Sequence, residues 1–175
     1  HSKVLKALSI DNTPESAHRF LLKIKYWSEL TNPYPARHKI YPNEELTLDV
    51  KEVDRKDLTH IKSFAIDNSD STEADDAISL DGETIWIHIA DVASKVDSDS
   101  ELDKYAQKRA SNLYLPDQTI HMLPPNLSSL CSLGESEKSS ALSIGFRMID
   151  CQISSIKILQ SKIKVVKMSY EEADQ

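Results

Sequence analysis

The run AISLDGETIWIHIAD, residues 77–91, restricts the folds open to this chain more than any other stretch. Apolar and polar residues alternate on both sides of Asp81-Gly82, a dipeptide that readily takes the left-handed backbone of a tight hairpin turn. AISL and TIWIHIAD are therefore expected to be antiparallel strands, with a further strand at SFAID, residues 63–67. Between SFAID and AISL lies NSDSTEADD, so a dense group of carboxylates is pinned at both ends to a sheet.

The rest of the chain supplies helices and more strands. TPESAHRFLLKIKYWSEL has Thr13 as a cap and Pro14 at the first helical position, and it sets Phe20, Leu21, Ile24 and Trp27 near one face, which predicts an amphipathic helix. TNPYPARHKIYPNEEL holds three prolines and reads as an ordered linker, since the residue before each proline is pushed away from helix. SELDKYAQKRASN predicts a helix, with Ser100 and Asp103 spaced as a capping box. After a loop rich in Pro, Ser and Leu, the runs ALSIGFRMID, QISSIKILQ and KIKVVKMSY predict three strands, the first two joined by a tight turn at residues 150–152. The class is α+β: a mixed, mostly antiparallel sheet with flanking helices.

Charge is placed unevenly. Residues 1–62 are net +2, residues 63–150 net −10 and residues 151–175 net +1, which together give −7. A basic patch for nonspecific polyanion binding is absent from the acidic centre, so a nucleic-acid partner there would need mediating cations or a positive field from another domain. No apolar run approaches the length of a membrane span, and no hydrophobic leader is present, so no membrane partner is expected. Cys131 and Cys151 have no metal or redox spacing and read as reduced thiols of a cytoplasmic protein. The chain opens His1-Ser2 without an initiator Met, so further sequence upstream is expected.

The carboxylates carry the chemistry. Four of them, Asp67, Glu73, Asp75 and Asp76, at a mean separation of roughly 6 Å would repel by about 17 kcal/mol at an effective dielectric of ~20, and by about 4 kcal/mol if fully hydrated. Even the smaller figure rivals the stability of a domain. Such a group persists only if protonated, paired with cations of the chain, or loaded with metal, and no Lys or Arg lies between Lys62 and Lys95. Oxygen ligands without cysteine suit Mg²⁺, Mn²⁺ or Ca²⁺. An EF-hand starting at Asp67 fails, because Thr72 stands where its Gly is needed and Ile78 where its Glu is needed. A two-metal hydrolytic site is a reading the pattern allows.

AIDNSDSTEADDAISL, IWIHIADVASKV, SELDKYAQKRASNLYLPDQTIHMLPPNLSSLCSL and MSYEEAD resemble, in order and spacing, the first half of the catalytic (RNB) domain of the ribonuclease II and R family. The likeness runs from about Arg55 to Asp174. It divides the chain into residues 1–54, an N-terminal amphipathic helix and Pro-rich linker, and residues 55–175, the first half of the catalytic domain. It implies a Mg²⁺-dependent 3′-to-5′ exoribonuclease, with Mn²⁺ as a possible substitute, that hydrolyses single-stranded RNA to nucleoside 5′-monophosphates by a two-metal mechanism.

The resemblance assigns residues as well. Asp67, Asp75 and Asp76 fall on family acidic ligands, and Glu73 stands where the family usually has Asp, which shifts its carboxylate by about 1 Å, a displacement that matters to in-line chemistry. Tyr114 falls on an aromatic that stacks on a base near the 3′ end, although alone it reads as a core or hairpin residue, and Tyr170 falls on a tyrosine near the last nucleotides. Asp70 matches no ligand position and reads as a turn residue. His88 reads as a hydrogen-bonded structural residue, and Asp91 either as a support for the site or as a turn residue. The family's catalytic domain continues beyond MSYEEAD, so flanking oligonucleotide-binding modules are expected in the full-length protein and the 175-residue chain alone is expected to be inactive. The second function class is a noncatalytic RNB-like scaffold that binds RNA or docks a protein.

Overall fold

The computed structural model describes residues 2–40, 53–71 and 73–175. Residues 41–46 of the expected Pro-rich linker lie outside the described residues. The chain forms two compact units, His1–Pro42 with Leu113–Ile120, and Asn43–Asn112 with His121–Gln175. No helix among the described residues is long and apolar enough to cross a membrane.

The first unit holds helices α1 (Lys3–Ala7), α2 (Pro14–Lys23) and α3 (Tyr34–Arg37) and the two-residue strands β4 (Leu113–Tyr114) and β5 (Thr119–Ile120). Thr13 caps α2 as its sequence predicts, its hydroxyl accepting from the Ser16 amide at 3.1 Å. The helix stops at Lys23, short of the expected Leu30. Lys25 takes φ +59, and the amides of Lys25 and Tyr26 turn back to the carbonyls of Leu22 and Leu21, which ends the helix in a Schellman motif. Ser9 and Lys39 end α1 and α3 in the same left-handed conformation. With only three glycines in the chain, these positions fall to residues that pay the Cβ cost.

The second unit is built on β1 (Lys56–Asp67), β2 (Asp76–Asp81), β3 (Thr84–Ala90), β6 (Ser139–Ile149) and β7 (Gln152–Ser169), closed as a barrel in the order β1-β2-β3-β6-β7. Four pairings are antiparallel and the seam between β7 and β1 is parallel. The register is staggered. The circuit Phe64–Ile78–Ile87–Ile144 returns on β7 at Ile158, whereas the partner of Phe64 across the seam is Val166. That stagger of eight residues is the shear a small barrel needs to close.

The hairpins follow local chemistry. Gly82 takes φ +58 between the paired residues Asp81 and Thr84, and Asp150 and Cys151 are both left-handed between the paired residues Ile149 and Gln152. QISSIKILQ and KIKVVKMSY are one strand, β7, not two. No Gly, Pro or Asn separates them, and the inward phase of Leu159, Ser161, Ile163 and Val165 runs unbroken through the junction. Against β6 the strand is irregular at a bulge at Ser155, φ +55, between the pairs Arg147–Ser154 and Gly145–Lys157, and against β1 the register shifts between Asp57 and Lys62.

A five-stranded barrel has a narrow interior, and small residues fill it: Ser63, Ala65, Ala77, Ser79, Ala141, Ser143 and Ser161 are buried beside Ile61, Ile163 and one indole, Trp86. Gly145 sits directly opposite Trp86, and a Cβ built there would lie 2.6–2.8 Å from the ring. His88 is fully buried in a chain of hydroxyls. Ser79 Oγ is 2.8 Å from Nε2, Ser143 Oγ is 2.6 Å from Nδ1 and 2.5 Å from Ser161 Oγ, and the Ser161 hydroxyl donates to the Ala141 carbonyl. Burial pushes His88 down to about 4, so it is neutral here.

Outside the barrel lie a short 3₁₀ turn (Val92–Lys95), α4 (Glu101–Arg109), α5 (Pro125–Cys131) and α6 (Tyr170–Ala173). Ser100 caps α4, but Asp103 is one methylene shorter than the usual Glu and accepts from the Asp99 amide, 2.8 Å, instead of closing the box on Ser100. The Pro-, Ser- and Leu-rich stretch read as a loop after residue 112 contains α5, whose Leu127 and Cys131 are buried.

Two predictions follow from the barrel interior. Gly145→Ala forces a methyl into the Trp86 ring and should lower stability by about 1–3 kcal/mol, read as a reduced urea midpoint at unchanged slope. An unchanged midpoint would show that the indole moves freely. His88 should make the protein acid-sensitive. Its folded pKa lies below the unfolded value of 6.5, so the unfolded state binds the extra proton between about 4 and 6.5. Stability is complete above that window and falls as pH drops through it, by up to about 3 kcal/mol. Urea melts of wild type and His88→Asn in one pH series isolate this contribution; curves that stay parallel below pH ~6 would refute it.

Candidate functional site

The acidic run joins the ends of two neighbouring strands. Asp67 is the last residue of β1, and Asp76 is the first of β2, paired with Ile89. Asp75 precedes β2, and its carbonyl accepts from the Ala90 amide at 2.8 Å. Ala74, buried between Glu73 and Asp75, anchors the loop: its carbonyl accepts from the Leu133 amide at 2.8 Å just beyond α5. An apolar pin thus turns the acids on either side outward.

Asp67, Glu73 and Asp75 open onto two concavities, and Asp76 lines neither. A cavity of about 410 Å³ is lined by Asp67, Asn68, Ser69, Ser71, Lys167, Ser169 and Glu172, among others. A second, of about 450 Å³, is lined by Glu73 and Asp75 with Asn112, Met122, Leu123, Ser128 and Cys131. Burial raises the Asp75 carboxyl above the usual range, and the charges of Asp76 and Asp67 raise it further. Among the described residues, none of the ion pairs involves Asp67, Glu73, Asp75 or Asp76, and no three His, Cys, Asp or Glu groups converge closely enough in this conformation to hold an ion. All four are carboxylates, oxygen donors of the type that hard divalent cations take. Asp70 is an exposed turn residue.

Tyr170 opens α6 one residue after Ser169, the partner of Asp67 across the seam, and is 55% exposed. Ser169 and Glu172 form a reciprocal capping box there, which engages the Glu172 carboxylate locally. Lys167, on the same cavity, is ion-paired with Glu135. Tyr114 is 75% exposed on β4 and belongs to the first unit. His88 has the structural role its sequence context suggested.

Sequence reasoning missed the partner of Asp91. Arg55, just before β1, donates to Asp91 Oδ2 at 2.8 Å, and Gln160 donates to the same oxygen at 3.1 Å. Burial alone would raise Asp91, but the hydrogen bond and charge of Arg55, with Gln160 and Ser94, hold it below the usual range. No local signal links residues 55, 91 and 160, because barrel closure brings them together.

Comparison with known proteins gives this site its context. The model of the RNB domain matches residues 55–175, and that of a double HTH domain matches residues 1–33, a likeness the sequence reading did not find. The chain is 35% identical over 159 residues to the chloroplastic/mitochondrial ribonuclease II of Arabidopsis thaliana, covering 81% of this chain and 20% of that protein. It is 39% identical over 130 residues to ribonuclease R of Chlamydia trachomatis, covering 69% of this chain and 19% of that protein. Among solved structures, ribonuclease R of Mycoplasma genitalium in complex with double-stranded RNA superposes with a TM-score of 0.62 at 26% identity, covering 94% of this chain and 30% of that one. The chain thus spans about a fifth of the length of these curated relatives. With the RNB model matching well over half of its residues, the chain belongs to the ribonuclease II/R family of RNB-domain exoribonucleases.

Proposed function

We propose that the protein carrying this chain is a Mg²⁺-dependent 3′-to-5′ exoribonuclease that hydrolyses single-stranded RNA to nucleoside 5′-monophosphates. The observation that carries this reading is the gathering of Asp67, Asp75 and Asp76 at the adjoining ends of β1 and β2, close enough for their charges to raise Asp75, in a chain of the ribonuclease II/R family. Asp67, Glu73, Asp75 and Asp76 would hold Mg²⁺, or Mn²⁺ in its place. When bound, such cations polarise the phosphate and lower the pKa of water by a two-metal mechanism.

The chain's own residues do the rest. The Ala74 anchor and the Ala90–Asp75 hydrogen bond fix the backbone from which the acids project. Lys167, on the Asp67 cavity, would meet a phosphate by exchanging its partner Glu135. Tyr170 and Tyr114 present exposed rings for base stacking, worth roughly 1–3 kcal/mol per base and indifferent to sequence. Since the chain spans about a fifth of its relatives, the remaining donors, and flanking oligonucleotide-binding modules, belong to the rest of the protein, and the 175-residue chain alone is inactive. Free thiols at Cys131 and Cys151 suit a reducing cytoplasm.

Asp75→Asn in the full-length protein should abolish hydrolysis of a labelled single-stranded RNA while sparing its binding in gel shifts, because it removes an oxygen ligand and eases repulsion of phosphate. Affinity falling in step with turnover would contradict this. The same change in the metal-free chain should raise the melting temperature slightly at low salt, an effect that fades as salt screens the carboxylates. Tyr114→Ala should leave cleavage chemistry intact and change the length of the final product; an unchanged product would remove the stacking role.

A further inference from the structure

The buried cluster around Arg55 is built more elaborately than a strand end requires. The side chains of Arg55 and Asp91 are 1% and 8% exposed. Besides Asp91, the guanidinium donates to Ser94 Oγ at 2.6 Å and to the Ala141 carbonyl at 3.4 Å, and the Ser94 hydroxyl donates to the Asp91 carbonyl at 2.8 Å. Gln160 completes the coordination of Asp91. Arg55 thus ties the entry to β1 to the exit of β3, the 3₁₀ turn and β6, and Asp91 adds β7 through Gln160.

Immediately before Asp91 lie the two residues that hold the acidic segment. Ile89 is the strand partner of Asp76, and Ala90 donates to the Asp75 carbonyl. The backbone of both acids therefore hangs from the residues that Arg55 fixes through Asp91. A buried ion pair adds little to stability over apolar residues of similar volume, because desolvation consumes most of its Coulombic gain. What a guanidinium supplies and an apolar pair lacks is direction: several donors held in a plane.

We propose that Arg55 and Asp91 are positioning residues, whose interaction sets the Asp75–Asp76 backbone through Ala90 and Ile89. The proposed function enters only in saying what that backbone is positioned for. The discriminating variant replaces the pair by apolar residues of similar size, Arg55→Met with Asp91→Leu, so that no charge is left buried alone. Amide hydrogen exchange on the 175-residue chain reads the position directly, through the Ala90 N–H that donates to Asp75.

If the pair positions the acids, the double variant keeps a cooperative melt near the wild-type midpoint and full protection at Ile87 and His88, while protection at Ala90 falls at least tenfold. Mn²⁺ affinity, measured by spin resonance of the free ion, falls at least tenfold with it. Unchanged protection at Ala90 overturns the proposal whatever the metal does. Loss of Ala90 protection in a chain whose wild type binds no Mn²⁺ upholds the positioning role and counts instead against the metal reading. If the double variant does not fold, Asp91→Asn is read at the same amide: it keeps the shape and removes the charge that orders Arg55, and its Ala90 protection falls or stays by the same criterion.

Discussion

A closed ring of five strands cannot alternate direction all the way round, and most of this molecule follows from that arithmetic. One seam must be parallel, and here it joins β7 to β1. The same closure demands shear, and the eight-residue stagger explains how Arg55, at the start of β1, meets Asp91, at the end of β3. Without the stagger these residues would lie at opposite ends of the barrel. Closure also fixes the bore, and a bore this narrow admits one indole only where the facing residue has no side chain, as at Gly145.

The acidic loop inverts the usual relation between charge and stability. Its carboxylates make no ion pair among the described residues, and burial together with the charges of Asp76 and Asp67 raises the proton affinity of Asp75. Repulsion of this kind tends to push a loop open, so the scaffold must hold it. The holding is done by neutral groups: Ala74 is buried and bonded to Leu133, and the Asp75 carbonyl is bonded to Ala90. Such repulsion is tolerated where the surrounding structure over-determines the backbone.

Elements were legible in the sequence where short-range chemistry decides them. Gly82 in the hairpin, the Thr13 and Ser100 caps and the alternation of β2, β3 and the last five residues of β1 follow from residues within four of one another, whereas the first seven residues of β1 carry no such signal. Where the sequence misled, a longer-range effect won. The sequence reading divides β7 into QISSIKILQ and KIKVVKMSY, whereas Ser161 between them faces a polar barrel interior and Gln160 bonds Asp91, so the strand runs through. The helix α5 hid in a Pro-rich stretch because Pro125 starts it and Leu127 is buried by tertiary contacts. The acids Asp67, Glu73, Asp75 and Asp76 are recognisable as a group because one loop carries them, but the placing of Asp67 on one cavity and of Glu73 and Asp75 on another depends on the buried Ala74, which carries no chemical signal.

The polar interior bears on this geometry through register. A barrel lined only by aliphatic side chains can slip a strand by two residues and keep its inward face apolar. Here Ser79, His88, Ser143 and Ser161 are joined in sequence across β2, β3, β6 and β7, with both imidazole nitrogens and the last hydroxyl satisfied. A two-residue slip of β3 against β6 would set Trp86 against Ser143 or His88 against Gly145, and either leaves a buried nitrogen without a partner, at a cost of about 1–3 kcal/mol, besides driving the indole into a side chain. The hydroxyl chain and the Trp86–Gly145 fit therefore enforce the same alignment. Through Ser79, on β2, the same chain holds β3 against β2 in the register that sets Ala90 beside Asp75, so the polar core of the barrel and the Arg55 cluster at its rim converge on one outcome, the position of the acids.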